Sequence, residues 1–114
     1  MSADERLRVD VRRGTERVIL ELQGELDMGS SGLLDEALAG ADLGDSGAVV
    51  LDLRGVSFAD STGLKAIFKA RKAVRDGGRS FAVTRGSTQV QRLLTLTRLD
   101  EHLHTIDDPE EAFD

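Results

Sequence analysis

The sequence predicts a single α/β domain in which helices cross over a mixed β-sheet. The chain has 114 residues, enough for one domain with a core of its own. Apolar runs with strand periodicity alternate with segments of helical apolar spacing, and turns rich in Gly, Asp and Ser separate them. The predicted element order is ββαβαβαβα, and such alternation is typical of parallel strands joined by helices. We expect the domain to occupy residues 1–114, with its core at about 6–107.

The first two predicted strands form an antiparallel hairpin. Residues 7–11 alternate apolar and polar side chains, which is the period of a half-buried strand. Residues 18–22 form a second strand, and residues 14–16 supply a short turn between the two. Adjacent strands joined by a short turn favour antiparallel pairing.

A predicted loop at residues 24–31 leads into the first helix. The loop is rich in small and capping residues, and either Ser30 or Ser31 is suited to begin the helix. One face of this helix carries Leu34, Ala37, Leu38 and Ala41.

Residues 48–53 are the most strand-like segment of the chain. They are apolar on successive positions, a pattern of strands covered on both faces, so we place them centrally in the sheet. A long helix is predicted from about Ser61 to Asp76, ended by Gly77 and Gly78. Its predicted buried stripe consists of Leu64, Ile67, Phe68 and Val74.

Shorter elements complete the predicted domain. They are a strand at 80–84, a helix over Val90 to Thr97, a strand at 103–106 and a terminal helical turn at 109–113. Ser87 or Thr88 is suited to cap the helix. Pro109 is suited to the first position of the terminal turn, because its missing N–H is not needed there.

Composition and charge exclude several classes of function. The absence of cysteine excludes disulfides and zinc–thiolate sites, and a net charge of −6 argues against direct nucleic-acid binding. The longest apolar stretch, residues 48–51, is too short to cross a bilayer, and the charged start shows no secretory signal. We therefore expect a soluble cytoplasmic protein without membrane insertion.

Residues 60–63, with the sequence Asp-Ser-Thr-Gly, lie between the central strand and the longest helix. Loops after strand ends are the usual functional edge of an α/β sheet. The unpaired amide groups of a first helical turn favour anions, so a phosphate on Ser61 would be stabilised there. Gly63 would let another chain approach this turn closely. The same residue types also make an ordinary helix cap, so the motif alone leaves both interpretations open.

Residues 49–64 closely resemble the signature of STAS domains, and within them most resemble the bacterial anti-sigma-factor antagonists. Residues 24–27, Gly-Glu-Leu-Asp, match the second motif of that family at a similar spacing. Residues 77–79 and the helix from Val90 to Leu99 stand where the family has corresponding elements. The resemblance covers nearly the whole chain and implies a single STAS-type domain.

The resemblance implies a binding switch controlled by phosphorylation. It makes Ser61 the residue phosphorylated by a partner that is both anti-sigma factor and serine kinase, and Thr62 a possible minor site. The unphosphorylated form would bind that partner and free the sigma factor, and a serine phosphatase would reset the switch. The implied partner surface comprises Asp27, Asp60, Ser61, Thr62, Gly63, Leu64 and Lys65.

As a binding module of this kind, the chain would not be an enzyme. It would have no catalytic residues, no metal and no cofactor, and would be a monomer or weak dimer. Because Asp60 already makes the site acidic, added phosphate charge would weaken an interface packed against the bare hydroxyl. We expect a change of the local surface without remodelling of the fold.

The sequence also departs from the family pattern. Lys65 stands where antagonists often have a small residue, and with Lys69 and Lys72 it forms a basic stripe at helical spacing. This stripe is either a solvated helix face or a patch for an acidic partner. Residues 29–31 also differ from the usual pattern, so the identity of the partner does not transfer.

Two other hypotheses compete with the switch. One is a soluble STAS accessory subunit of a lipid or anion transport complex. The other is a small hydrolase or nucleotide-binding enzyme, but the chain lacks a Gly-x-Ser-x-Gly elbow and a Walker-type phosphate loop. His102 and His104 lie two residues apart without a third ligand in view, which is weak evidence for a metal site.

Overall fold

The computed structural model describes residues 6–14 and 16–113. Its elements are β1 (Leu7–Arg13), β2 (Arg17–Leu26), α1 (Ser31–Gly40), β3 (Ala48–Ala59), α2 (Ser61–Asp76), β4 (Ser80–Thr84), α3 (Thr88–Leu96), a 3₁₀ turn (Leu99–His102) and β5 (Thr105–Ile106). The charged start of the chain, Thr15 of the predicted first turn, and Asp114 lie outside the described residues.

The five strands form one mixed sheet whose spatial order follows the chain, β1-β2-β3-β4-β5. β1 and β2 pair antiparallel, and every later neighbour pairs parallel through a crossover helix. The predicted α/β class, the opening hairpin and the central position of β3 are therefore confirmed.

β2 and β3 extend further than their apolar runs predict. Residues 24–26 pair with 56–59 as strand, so the predicted loop at 24–31 begins only at Asp27. Irregular register interrupts this pairing after Glu21 and at Gly24, which hides the strand period in the sequence. Gly24 has φ of 112°, and a Cβ there would collide with the carbonyl of Arg6.

The three α-helices pack against one face of the sheet. Alternate residues of the strands point to this face and form one apolar core with the helices. α2 supplies most of the helical side of that core, whereas α1 buries only Leu34 fully. Phe68, predicted to be buried, is half-buried at the margin of the core.

The C-terminal segment covers part of the opposite face of the sheet. Phe113 packs against a small apolar cluster formed by Ile19, Val50, Ala82 and Ile106. Arg17 holds this segment, since its Nη1 donates to the carbonyls of Pro109 (2.7 Å) and Glu111 (2.8 Å). The Arg17 guanidinium also lies 5.3 Å from the centroid of the Phe113 ring.

The predicted helical turn at 109–113 is present only as a single short turn, in which the Glu111 amide donates to the Asp108 carbonyl at 2.8 Å and Asp108 Oδ1 accepts from the Glu110 amide at 2.8 Å, and residues 111–113 do not continue it. Pro109 is buried against the sheet, and Arg17 takes carbonyls that a continuing helix would use for its own hydrogen bonds. The last strand is also shorter than predicted, because only Thr105 and Ile106 pair with β4. Contacts with the sheet therefore override the local signal for a helix.

The caps of α2 and α3 follow their predicted chemistry. Asp60 caps α2, Gly77 ends it, and Gly78 turns the chain with φ of 81°. Ser87 caps α3 by accepting from the Val90 amide at 3.3 Å. Ser30 precedes α1 without capping it, because its hydroxyl donates instead to the Glu25 carbonyl at 2.6 Å.

Across the described residues, no helix is both long and apolar enough to cross a membrane.

Candidate functional site

The carboxyl ends of β2 and β3 meet at one edge of the sheet. Leu26 and Ala59 are paired at the ends of the two strands, and the Asp60 amide donates to the Leu26 carbonyl at 3.3 Å. The loop at residues 27–30 leaves this edge from β2, and α2 leaves it from β3. The topology thus brings together two motifs that are separated along the chain.

Asp60 links the two motifs through both oxygens of its carboxylate. Oδ1 accepts from the Gly63 amide at 2.8 Å and so caps α2. Oδ2 accepts from the Met28 amide in the β2–α1 loop at 3.2 Å. One side chain therefore fixes the start of the helix and the neighbouring loop relative to each other.

Ser61 is the first residue of α2 and is exposed, while Thr62 follows half-buried. Over residues 6–14 and 16–113, neither hydroxyl is engaged in a hydrogen bond. The cap uses the Gly63 amide, so the amides of Ser61 and Thr62 stay unpaired within the helix. The Ser61 hydroxyl is accessible to another molecule at a place that favours added negative charge.

Asp27 is buried beneath the loop rather than displayed on its surface. It forms an ion pair with Arg6, accepts from the Gly29 amide at 3.0 Å, and lies 3.2 Å from the Ser30 hydroxyl. Burial raises the pKa of Asp27, but the Arg6 charge and the hydrogen bonds from Ser30 and Gly29 outweigh it and lower the pKa. Asp27 shapes the loop, and the side chain that the loop exposes is that of Met28.

Gly63 and Leu64 face the interior of the protein. A Cβ on Gly63 would collide with the Leu26 carbonyl, so the missing side chain lets α2 pack closely on the end of β2. The sequence predicts that Gly63 lets another chain approach, whereas in the structure the space above Gly63 is occupied by Leu26 of the same chain. Leu64 belongs to the core, whereas Lys65 is exposed one turn after Ser61.

Gln89 at the start of α3 holds the end of β3, a role that sequence reasoning missed. Its Oε1 accepts from the Ala59 amide and its Nε2 donates to the Ala59 carbonyl, both at 2.8 Å. The pairing of β3 with β4 ends at Leu51 and Val83, so no strand pairs with Ala59 on that side. The side-chain amide of Gln89 makes the two backbone hydrogen bonds that a neighbouring strand would otherwise make. A glutamine in a first helical turn resembles a surface residue, so the sequence carries no signal for this contact.

The basic stripe on α2 is largely neutralised within the protein. Lys69 pairs with Asp35 at 3.2 Å, and Lys72 pairs with Asp76 at 2.7 Å. Lys65 has no acidic partner in the part of the chain that the structure describes. The stripe is therefore mostly a solvated face, with Lys65 the exception beside Ser61.

The two histidines occupy a different region from Ser61. His102 lies in the 3₁₀ turn, and His104 lies against Phe113 with 5.3 Å between ring centroids. No cluster of three or more metal-ligating side chains occurs within residues 6–14 and 16–113.

Comparisons with known proteins identify relatives over most of the chain. The sequence model of the STAS domain matches residues 6–112. The anti-sigma-F factor antagonist RsfB of Mycobacterium tuberculosis is 30% identical over 101 residues, which cover 89% of this chain and 82% of that protein.

Two solved structures share the fold. An anti-sigma factor antagonist from Mycobacterium paratuberculosis has a TM-score of 0.80 at 24% identity, with 95% of this chain and 92% of that chain covered. A candidate anti-sigma factor antagonist from Thermotoga maritima has a TM-score of 0.72 at 27% identity, with coverage of 88% and 86%.

Proposed function

Because the chain belongs to the STAS domain family, we propose that it is an anti-sigma-factor antagonist switched by phosphorylation of Ser61. The observation that carries the proposal is the exposed Ser61 hydroxyl at the first residue of α2, which forms no hydrogen bond within the described residues and lies next to the Asp60 side chain that joins α2 to the β2–α1 loop. The three relatives described above are antagonists or a candidate antagonist, which favours this function over that of a transport-complex subunit.

In the unphosphorylated state, the surface around Ser61 binds an anti-sigma factor and thereby frees the sigma factor in the cytoplasm. Asp60, Ser61, Thr62 and Lys65 lie at this surface, while Asp27, Gly63 and Leu64 shape it from within. Binding to a preformed surface loses little entropy, because the loop and the helix are already held together. The protein acts as a monomer or weak dimer in this proposal.

Phosphorylation changes this surface through charge. The anti-sigma factor acts as a serine kinase: the Ser61 oxygen attacks the γ-phosphorus of ATP, ADP leaves, and the hydroxyl proton passes to a base on the kinase. The product carries about −1.5 to −2 added charge at neutral pH. A partner that packs against the bare hydroxyl would have to desolvate that charge, so the complex dissociates.

The fold accommodates the phosphate without unfolding. The unpaired amides of the first turn of α2 favour an anion, and Lys65 lies one turn further on the same helix face. A serine phosphatase hydrolyses the phosphoester and resets the switch. Both reactions are catalysed by the partners, so the chain itself is not an enzyme in this proposal.

Intact-mass measurement tests the phosphoacceptor. Purified protein is incubated with ATP and each kinase-type anti-sigma factor of the same genome. We expect the wild type to gain one phosphoryl group and Ser61→Ala to gain none, while Thr62→Ala serves as the matched control and is still modified. Full modification of Ser61→Ala would contradict the assignment of Ser61.

Binding measurements test the switch itself. Calorimetry with the same anti-sigma factor should show tight binding of Ser61→Ala, which keeps a neutral small side chain. Ser61→Asp should bind at least about tenfold more weakly, since it places a charge in the interface. Equal affinity of the two variants would refute the switching mechanism.

A further inference from the structure

Two exposed apolar side chains lie at the same edge of the sheet as Ser61. Among the described residues, the large hydrophobic side chains that are exposed are Val11 (41%), Met28 (77%), Phe58 (41%) and Leu96 (75%). Met28 follows the end of β2 and Phe58 comes three residues before Ser61, so both belong to the carboxyl edge of the sheet, whereas Val11 is on the edge strand β1 and Leu96 ends α3. Single exposed hydrophobic residues are common, but a pair beside a control site is typical of an interaction surface.

The exposure of Met28 does not result from a loose loop. Its amide donates to Asp60 Oδ2 at 3.2 Å, and the preceding Asp27 is held by Arg6, Gly29 and Ser30. The backbone on both sides of the exposed side chain is therefore fixed. A flexible thioether side chain on a fixed backbone is suited to fill a pocket on a partner.

Phe58 is held equally firmly. It lies in β3 opposite Glu25 of β2, and the next residue, Ala59, is bound by the Gln89 side chain. The pairing of Leu26 with Ala59 places Phe58 one residue before this pair in β3, and Met28 lies two residues after it in the loop that follows β2. The two apolar side chains thus come from the end of β3 and from the loop that follows the adjacent end of β2.

We propose that Met28 and Phe58 are the apolar anchors of the docking surface, and that they fit an apolar groove on the anti-sigma factor. The inference rests on the proposed function and specifies the chemistry of its partner. An acidic partner surface is the weaker candidate, because Lys69 and Lys72 already pair with Asp35 and Asp76. Apolar contacts supply affinity, and the nearby Ser61 hydroxyl makes that affinity sensitive to phosphate.

Four variants with matched exposure test the anchors. Met28→Gln is paired with Leu96→Gln, and Phe58→Gln with Val11→Gln, so that each pair loses an apolar side chain of similar exposure. Calorimetry with the anti-sigma factor that phosphorylates the wild type should show affinities at least about tenfold lower for Met28→Gln and Phe58→Gln. The controls should stay within about twofold of the wild type, because they lie outside the interface. Urea unfolding establishes that each variant is folded. If Phe58→Gln does not fold, the comparison of Met28→Gln with Leu96→Gln still tests the proposal, because Met28 lies in a loop.

The outcomes separate this inference from the proposed function. If the wild type binds and is phosphorylated at Ser61 but Met28→Gln and Phe58→Gln bind like their controls, the apolar anchors are refuted and the switch stands. If no anti-sigma factor binds or modifies the wild type, the proposed function fails and the anchors fail with it. A third outcome is binding that weakens steeply as the salt concentration rises and that is lost on substitution of Lys65 but not of Met28. This outcome would refute the apolar anchors and would indicate an acidic partner surface.

Discussion

Asp60 shows how one side chain can build a site from two distant motifs. Both oxygens of its carboxylate accept backbone amides, one from Gly63 in α2 and one from Met28 in the β2–α1 loop. Serine could cap the helix as well as aspartate, but its single oxygen would not also reach a second element. The position next to Ser61 therefore combines capping with the bracing of a loop.

Gly63 is a second residue whose role depends on a single contact. A methyl group at this position would collide with the Leu26 carbonyl, and backbone cannot move aside as a flexible side chain can. We expect Gly63→Ala to lower the free energy of unfolding by about 2 kcal/mol or more. Urea denaturation followed by circular dichroism measures this change.

Gly32 in α1 provides the matched control for this prediction. A Cβ there meets no atom within 4 Å, and alanine favours the helix. Gly32→Ala should therefore raise stability by about 0.5 kcal/mol. Similar effects of the two substitutions would mean that the contact of α2 with β2 is not tight.

At the level of elements, α3 has a function beyond covering the sheet. β3 continues to Ala59 beyond its ladder with β4, and α3 begins at the place where the missing strand would lie. Gln89 pairs with both backbone groups of Ala59, and the Ser87 hydroxyl donates to the Ser57 carbonyl at 3.2 Å. The N-terminus of α3 thus holds the strand end from which the Asp60 turn departs.

Amide hydrogen exchange tests this role of α3. Gln89→Leu removes the acceptor of the Ala59 amide, so we expect this amide to exchange faster and Ser61 phosphorylation to slow. Gln91→Leu is the matched control, because Gln91 Oε1 accepts from the Gly86 amide at 2.7 Å and not from Ala59. It should expose the Gly86 amide while leaving Ala59 exchange and phosphorylation unchanged. Unchanged protection of Ala59 in Gln89→Leu would show that the glutamine does not hold the strand.

On the scale of the whole molecule, the two faces of the sheet are completed by different means. Helices cover one face, and the segment held by Arg17 covers part of the other. The second face also contains the buried Asp52, which accepts from Arg54 (2.9 Å) and from the Thr84 hydroxyl (3.0 Å). This network is satisfied within the protein and links β3 to β4.

The two buried aspartates predict how stability depends on pH. Burial raises the pKa of Asp52, but hydrogen bonds from Arg54 and Thr84 outweigh it and lower the pKa below the usual value of 3.8, as at Asp27. When the pKa of a carboxyl group is lower in the folded state than in the unfolded state, the group stabilises the fold, and this stabilisation is fully present above the unfolded-state pKa. It is lost as the pH falls through the folded-state pKa, because the unfolded chain then binds more protons.

Urea midpoints measured from about pH 6 to about pH 2 should therefore fall most steeply below about pH 4. Asp52→Asn cannot titrate and should flatten part of this decrease, while exposed Asp45→Asn serves as a control with the wild-type profile. An identical pH profile for Asp52→Asn and the wild type would contradict a lowered pKa of Asp52.

Much of the fold could be predicted because its signals are local. The bounds of α2 follow from its apolar spacing, the cap at Asp60 and the glycines at 77–78. The ends of β2 and β3 were missed because register irregularities disturb the two-residue period. The terminal turn is shorter than predicted because Arg17, far away in the sequence, binds the carbonyls of Pro109 and Glu111.

The sequence by itself determined the α/β class, the central strand, the long helix and the hydroxyl pair of Ser61 and Thr62. Only the tertiary structure decided that Asp27 is buried, that Met28 is exposed in its place, and that Gln89 supports the end of β3. Helix and strand periods depend on neighbours within a few residues, so they can be read along the chain. The burial of Asp27 and the hydrogen bonds of Met28 and Ala59 depend on residues 21 to 32 positions away, which only the packed sheet brings together.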